Sequence, residues 1–229
     1  MRTVLTILTI ILWIFQVEAQ IASPSLPTDV GYEVAKFKHL ATNEKGKPIA
    51  EKEIAGSPFL DKQFQKSYIL KVNGAEIKNL PLRYNLYNNS MEMIQNGQVL
   101  TISFPSEIQR INMGGNVFIY AKYTTPKKIG FGFFQVLYEG DYQLLKKDRV
   151  VLKTPDNTGD SLRFERSFPQ FYLRYGEGMA YWINSQKSLI KRLQPLSQST
   201  IDFIKSNKIN AKDEKKLIEL MEYIADSPK

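Results

Sequence analysis

Between Ser67 and about Asn184 the apolar residues of this chain recur with a period of two, and from Ser185 onward they recur with the period of a helix. That switch constrains the fold more than any other feature. A long run of alternating segments must pair with itself as a sheet, and the amphipathic helices after it must bury their apolar stripes on that sheet or on each other. The expected fold class is α+β: a mostly antiparallel curved sheet or open barrel followed by a C-terminal cluster of about three helices.

Two Asn-Gly pairs punctuate the alternating region. Ser67 to Val72 runs into Asn73-Gly74 and a second strand-like run from Ala75 to Ile77, and Met91 to Ile94 leads through Asn96-Gly97 into Val99 to Ser103. Asn-Gly suits the positive φ angles of a tight hairpin, so both pairs are predicted hairpin tips. Leu82 to Tyr87 alternates, with Leu82, Tyr84 and Leu86 on one face. Val117 to Ala121 and Phe131 to Tyr138 are apolar on both faces, as expected of strands covered on each side. Tyr142 to Leu145, Val150 to Leu152, Phe171 to Tyr175 and Met179 to Ile183 continue the meander, with Gly176-Glu177-Gly178 as a turn. No fixed-period repeat accompanies these runs, which argues against a propeller or solenoid.

Past the switch, Ser185 is placed to cap a helix carrying Leu189, Ile190 and Leu193 that Pro195 stops. Ser199 is the expected cap of a second helix with Ile201 and Ile204. Asn210, with Asp213 three residues on, resembles a capping box opening a third, in which Leu217, Leu220, Met221 and Ile224 form one stripe.

The other end of the chain reads as an address. A basic Met1-Arg2 start, an apolar run from Val4 to Phe15 and Val17-Glu18-Ala19 before Gln20 have the three parts of a signal peptide. The apolar run falls short of the roughly 20 residues a spanning helix needs, so cleavage rather than anchoring is expected. The domain reading is residues 1–19 as signal peptide, 20–55 as a loosely packed lead-in, 56–184 as the β-rich domain and 185–229 as a helical segment packing on it. No later stretch would span a membrane as a helix. An exported, soluble location follows, periplasmic or extracellular.

Absence of cysteine removes a disulfide framework, thiolate metal sites and catalytic thiols. The formal charge of +8 survives loss of the leader, which carries one residue of each sign, Arg2 and Glu18. Lys and Arg are interleaved with acids along the chain, which reads as a solvated surface rather than a nucleic-acid footprint. Weak attraction to anionic headgroups or acidic polysaccharide is compatible with that surface.

Few residues nominate a chemistry. His39 is the one histidine and lies in the lead-in, no Gly-x-Ser-x-Gly elbow is present, and a zinc site of the usual composition lacks ligands. Asp156 to Asp160 crowds oxygen ligands around Gly159 but lacks EF-hand spacing, so a polar turn is favoured over a calcium loop. Gly130-Phe131-Gly132 lacks the Lys-Ser/Thr of a phosphate loop, and its glycines read as a bend or close packing against another backbone. Tyr172, Tyr175, Tyr181 and Trp182 are the candidate ligand-facing aromatics; at strand spacing their simpler role is core and sheet face. No catalytic residue, metal ligand or cofactor is assigned.

Gly56 to Leu60 with Phe64 following, Pro81 to Asn85 running to Met91-Glu92, the Leu144 to Lys147 run and the closing Asp213 to Tyr223 helix occur in an order that resembles an exported Bacteroidota protein family of unknown function. The resemblance spans roughly residues 56–223 and implies an envelope location in a Gram-negative cell, with no catalytic residues to carry over. The functional expectation is a non-enzymatic protein that binds an envelope protein or a small ligand, and not nucleic acid. A hydrolase acting on envelope glycan or peptide, and a carrier holding an apolar molecule in a calyx, are the alternatives.

Overall fold

A computed structural model describes residues 32–34, 54–154 and 162–227. The expected leader, most of the lead-in, His39 and the Asp156 to Asp160 turn lie outside the described residues. Among the described residues eleven strands form one curved sheet and three α-helices follow it, which is the expected α+β architecture.

The strands are β1 (Tyr32–Val34), β2 (Gln65–Lys71), β3 (Glu76–Asn85), β4 (Ser90–Gln95), β5 (Gln98–Ile102), β6 (Ile108–Met113), β7 (Asn116–Thr125), β8 (Lys128–Tyr138), β9 (Tyr142–Lys153), β10 (Arg163–Tyr175) and β11 (Ala180–Ile183). Their order is β1-β5-β4-β3-β2-β6-β7-β11-β10-β9-β8, and β8 returns to pair with β7. That last pairing closes β7, β8, β9, β10 and β11 into a ring, from which the other six strands extend as an open wing. β7 is the junction. It pairs with β8 along its length, while its opposite edge takes β6 at Asn116 to Phe118 and β11, in parallel, at Tyr123 and Thr124.

Both Asn-Gly pairs sit at hairpin tips, by different geometries. Asn96 and Gly97 both adopt positive φ, as a two-residue primed turn requires. At the first tip only Gly74 does, and the Asn73 side chain instead accepts a hydrogen bond from the Ala75 N–H at 3.0 Å. Two pairs of predicted strands merge: Ala75 to Ile77 joins Leu82 to Tyr87 as β3, and Tyr142 to Leu145 joins Val150 to Leu152 as β9. β3 survives the interruption because Asn79 takes a left-handed conformation and shifts the register to β2 by one residue. Within the lead-in, the strand-like stretch that the sequence offers at Val30 to Phe37 contains β1, which pairs with β5.

Alternation on β7 separates two cores. Phe118 faces the wing core with Ile69, Leu82, Tyr84, Met91 and Ile111, whereas Ile119, Ala121 and Tyr123 face the ring interior with Phe134, Leu145, Tyr172 and Ala180. β7 at Phe118 and Ile119 and β8 at Phe133 and Phe134 are covered on both faces for this reason, as expected, whereas Phe131 at the start of the predicted β8 run is exposed. In the wing, the buried Glu92 carboxylate accepts from Arg83 at 2.8 Å and from Asn85 at 2.7 Å, and the Arg83 guanidinium lies 3.6 Å from the Phe59 ring centroid. Those contacts keep a buried charge paired and fasten the segment around Phe59 to the sheet.

Helices α1 (Gln186–Leu193), α2 (Gln198–Ser206) and α3 (Glu214–Asp226) cover the outer face of the ring. Their Leu189, Leu193, Ile204, Leu217, Leu220 and Met221 pack on Leu144, Phe171, Leu173 and Ile183. Ser185 caps α1 as predicted, in a reciprocal box with Ser188. Two caps differ from expectation. Ser197, not Ser199, accepts from the Thr200 N–H and opens α2. Asp213 itself caps α3 by accepting from Lys216, while Asn210 closes the preceding turn on Lys212. In each case the residue three positions before the recipient N–H is the one in reach.

Candidate functional site

The four aromatics singled out from sequence do not converge on one cleft. Tyr172 on β10 is fully buried in the ring, edge-to-face with Phe134 at 5.0 Å and with Tyr123 at 5.7 Å between centroids. Burial pushes its phenol well above the ordinary range, and the hydroxyl donates to Gln170. It is a core residue. Tyr175 ends β10 and is 67% exposed, with its ring edge against Tyr142.

Tyr181 and Trp182 are sequence neighbours on β11 and so point to opposite faces. Trp182 leans on the ring core opposite Tyr172, and Tyr181 turns outward beneath α1, where the Arg192 guanidinium lies 3.7 Å from its ring centroid. Both nevertheless border one cleft of about 270 Å³ between the β7–β8 turn, β11 and α1.

The cleft follows from local sequence. The Ser185 cap fixes where α1 begins, with Ser188 Oγ accepting from the Asn184 and Ser185 N–H groups at 3.0 Å. From that start, Leu189 and Leu193 turn into the core, whereas Ser188, Lys191 and Arg192, three and four residues apart, share the face toward the cleft. Opposite them, Thr125 Oγ1 accepts from the Lys127 and Lys128 N–H groups and shapes the turn that forms the far wall with Thr124 and Pro126.

Electrostatically the cleft is one-sided. Lys191 and Arg192 occupy the last turn of α1, where the helix dipole favours cations, and no carboxylate lines the cleft. Neither cation forms an ion pair among the described residues. Two cations, an indole, a phenol and the side-chain amide of Asn184 suit an anionic ligand with a flat or C–H-rich face. The same inventory holds no histidine or carboxylate, and Ser188 Oγ donates to the Ser185 carbonyl at 2.8 Å, which commits it to the cap.

A buried amine escaped the sequence reading. Lys147 on β9 follows Leu145 on the same face and so turns into one mouth of the ring. Its Nζ lies 2.6 Å from Asn89 Oδ1, 3.4 Å from the Phe133 carbonyl and 4.8 Å from the Phe134 ring centroid. Burial, and then the positive charges of Lys128 and Arg149, pulls the amine down to about 7. Gly132 makes room for it, because a methyl group there would overlap Nζ. The close approach signalled by Gly130-Phe131-Gly132 is therefore real, but side chains rather than another backbone approach, with the Tyr123 ring 3.3 Å from the position a Cβ would take at Gly130.

A larger groove of about 760 Å³ runs between the β8–β9 turn and the helices, walled by Tyr138, Tyr142, Leu196, Met221 and Ile224. Its lining is mostly apolar and brings no charged pair together. Lys146 lies 2.9 Å from Glu214 and 3.9 Å from Asp148 and thereby ties β9 to the start of α3. No cluster of three His, Asp or Glu side chains that would hold a metal occurs among the described residues, and no described helix is long and apolar enough to cross a membrane. Comparison with family models, curated proteins and solved structures returned no match.

Proposed function

We propose that this is an exported, non-enzymatic binding protein of the cell envelope, and that the cleft between β11 and α1 takes an anionic ligand. The observation that carries the reading is the pair Lys191 and Arg192, neither with a carboxylate partner among the described residues, beside Tyr181 and Trp182 in a cleft with no carboxylate. Export rests on the signal-like residues 1–19. A bacterial envelope rests on the absence of cysteine and on the family resemblance. A binding role is supported by the absence of a histidine or carboxylate from the cleft lining and by the commitment of Ser188 to the helix cap. The calyx alternative loses support from the ring interior, where Phe134, Leu145 and Tyr172 pack fully buried.

Calorimetric titration of the purified protein with trigalacturonate and with a neutral maltotriose tests the ligand class. Saturable binding of the acidic trimer alone, weakened by salt as screened charges demand, is the expected result. Equal binding of both, or of neither, contradicts it. Cell fractionation with N-terminal sequencing tests export: a mature chain beginning near Gln20 in the envelope fraction is expected, and an intact chain in the cytosol contradicts it.

A further inference from the structure

The sheet forks on β7. Along the edge away from β8, β6 pairs as far as Phe118 and β11 begins at Tyr123, so Ile119 to Lys122 have no strand partner on that side among the described strands. A second opening of about 450 Å³ lies at the fork, bordered by Tyr120, Lys122, Phe131, Arg174 and Glu177. The Tyr120 and Phe131 rings are within 16° of parallel with centroids 6.0 Å apart, and Phe131 is 56% exposed. Arg174 is held at the rim by donating to the Gly178 carbonyl at 2.9 Å and to Gln143 at 3.3 Å.

Strand alternation connects this platform to the first cleft. Ile119, Ala121 and Tyr123 face the ring interior, so Tyr120, Lys122 and Thr124 share the outer face of β7, and Thr124 borders the cleft of Lys191 and Arg192. Four residues of strand separate Tyr120 from Thr124, a span of about 13 Å. That is the reach of an oligomer rather than of a single small molecule.

We infer that the occupant is an acidic polysaccharide whose chain runs from the β11–α1 cleft along the outer face of β7 onto the Tyr120–Phe131 platform, an inference that rests on the anionic-ligand reading of the cleft. Each part of the path has its own complement on such a chain. Flat rings take the C–H faces of sugars, Lys122, Lys191 and Arg192 take the carboxylates, and Glu177 accepts from hydroxyls. Glu177 repels the carboxylates of such a chain as it repels phosphates, so single-stranded nucleic acid is set aside on the exported location proposed above, and an oligothymidylate enters the test as the competing polyanion.

The test is a length series. Oligogalacturonate dimer and hexamer are titrated against the full chain, expressed with its leader, and against a Tyr120→Ala/Phe131→Ala variant. The hexamer is expected to bind wild type more than about tenfold tighter than the dimer, equivalent to 1.4 kcal/mol. The double variant is expected to bind the dimer as wild type does while losing most of that gain. A hexamer no tighter than the dimer, a gain retained in the variant, or an oligothymidylate that matches the hexamer would each overturn the polymer path while leaving the cleft reading standing. A protein that binds the dimer not at all overturns the cleft reading, and the path with it. Because Tyr120 also meets Phe133 in the wing core, Phe131→Ser alone, a change at an exposed ring, supplies the same comparison should the double variant fail to fold.

Discussion

The ring interior and the cleft beside α1 are built from the same ingredients and differ in access. Inside, Tyr123, Phe134 and Tyr172 surround the approach of Lys147; outside, Tyr181 and Trp182 border Lys191 and Arg192. In the interior each ring meets another ring edge-on, and the amine is held by Asn89 and the Phe133 carbonyl. Its proton is partly surrendered to burial. In the cleft the two cations sit at the protein surface without a carboxylate partner, Arg192 stacked on Tyr181, and on the proposed reading both take an anion. Aromatic rings beside a lysine do not make a binding site; what the proposed site adds is cations that are exposed and have no carboxylate partner.

The comparison breaks most readily at Tyr172. Replacing this fully buried ring by Ala should lower unfolding free energy by about 3–5 kcal/mol, measured by denaturant titration, while the folded fraction binds acidic oligosaccharide with unchanged affinity. A loss of binding with little loss of stability would move the ligand into the ring. The converse change is Lys191→Ala with Arg192→Ala. It should leave stability within about 0.5 kcal/mol and weaken binding by about 1.5–3 kcal/mol, the range for hydrogen bonds to charged groups, as read by calorimetry.

Lys147 gives the contrast a pH signature. Its folded pKa lies below its unfolded value, so between about pH 7 and 10 the unfolded chain holds the extra proton, and stability rises with pH across that window. One group contributes a slope of at most about 1.4 kcal/mol per pH unit. Chemical denaturation of wild type and Lys147→Met at several values between pH 7.5 and 9.5 should show that slope in wild type and its loss in the variant. Parallel pH profiles would mean that the amine is fully solvated. The smallest expected effect is at the cap: Ser185→Ala should cost about 1 kcal/mol and weaken oligosaccharide binding a few-fold by loosening the start of α1. Loss of stability without any change in affinity would show that the cleft does not depend on the position of the cap.

The sequence made the ring strands legible because apolar residues on both faces of Val117 to Ala121 require two cores, and β7 has them. It made the hairpins legible through Asn-Gly chemistry, and the helices through caps, although Ser197 and Asp213 show that spacing alone selects the wrong oxygen by two or three residues. Ring closure was not legible. It depends on β8 and β11 meeting opposite edges of β7, a long-range pairing that alternation within a strand does not encode. The candidate aromatics illustrate the same limit. Period two places Tyr181 and Trp182 on opposite faces and says nothing of the α1 residues that complete the cleft. Lys147 escaped because a lysine beside Lys146 reads as surface, and its clue was the small residue at Gly132 on a neighbouring strand.

In the chain without residues 1–19, Trp182 is the single tryptophan and stands at the cleft itself. Its fluorescence therefore reports the site directly during titration with an acidic oligosaccharide. A saturable change in emission that disappears in Arg192→Ala, with the unfolding midpoint unaltered, is the predicted result. Emission that stays constant while calorimetry registers binding, or that changes equally in the variant, would contradict the placement of the ligand between β11 and α1.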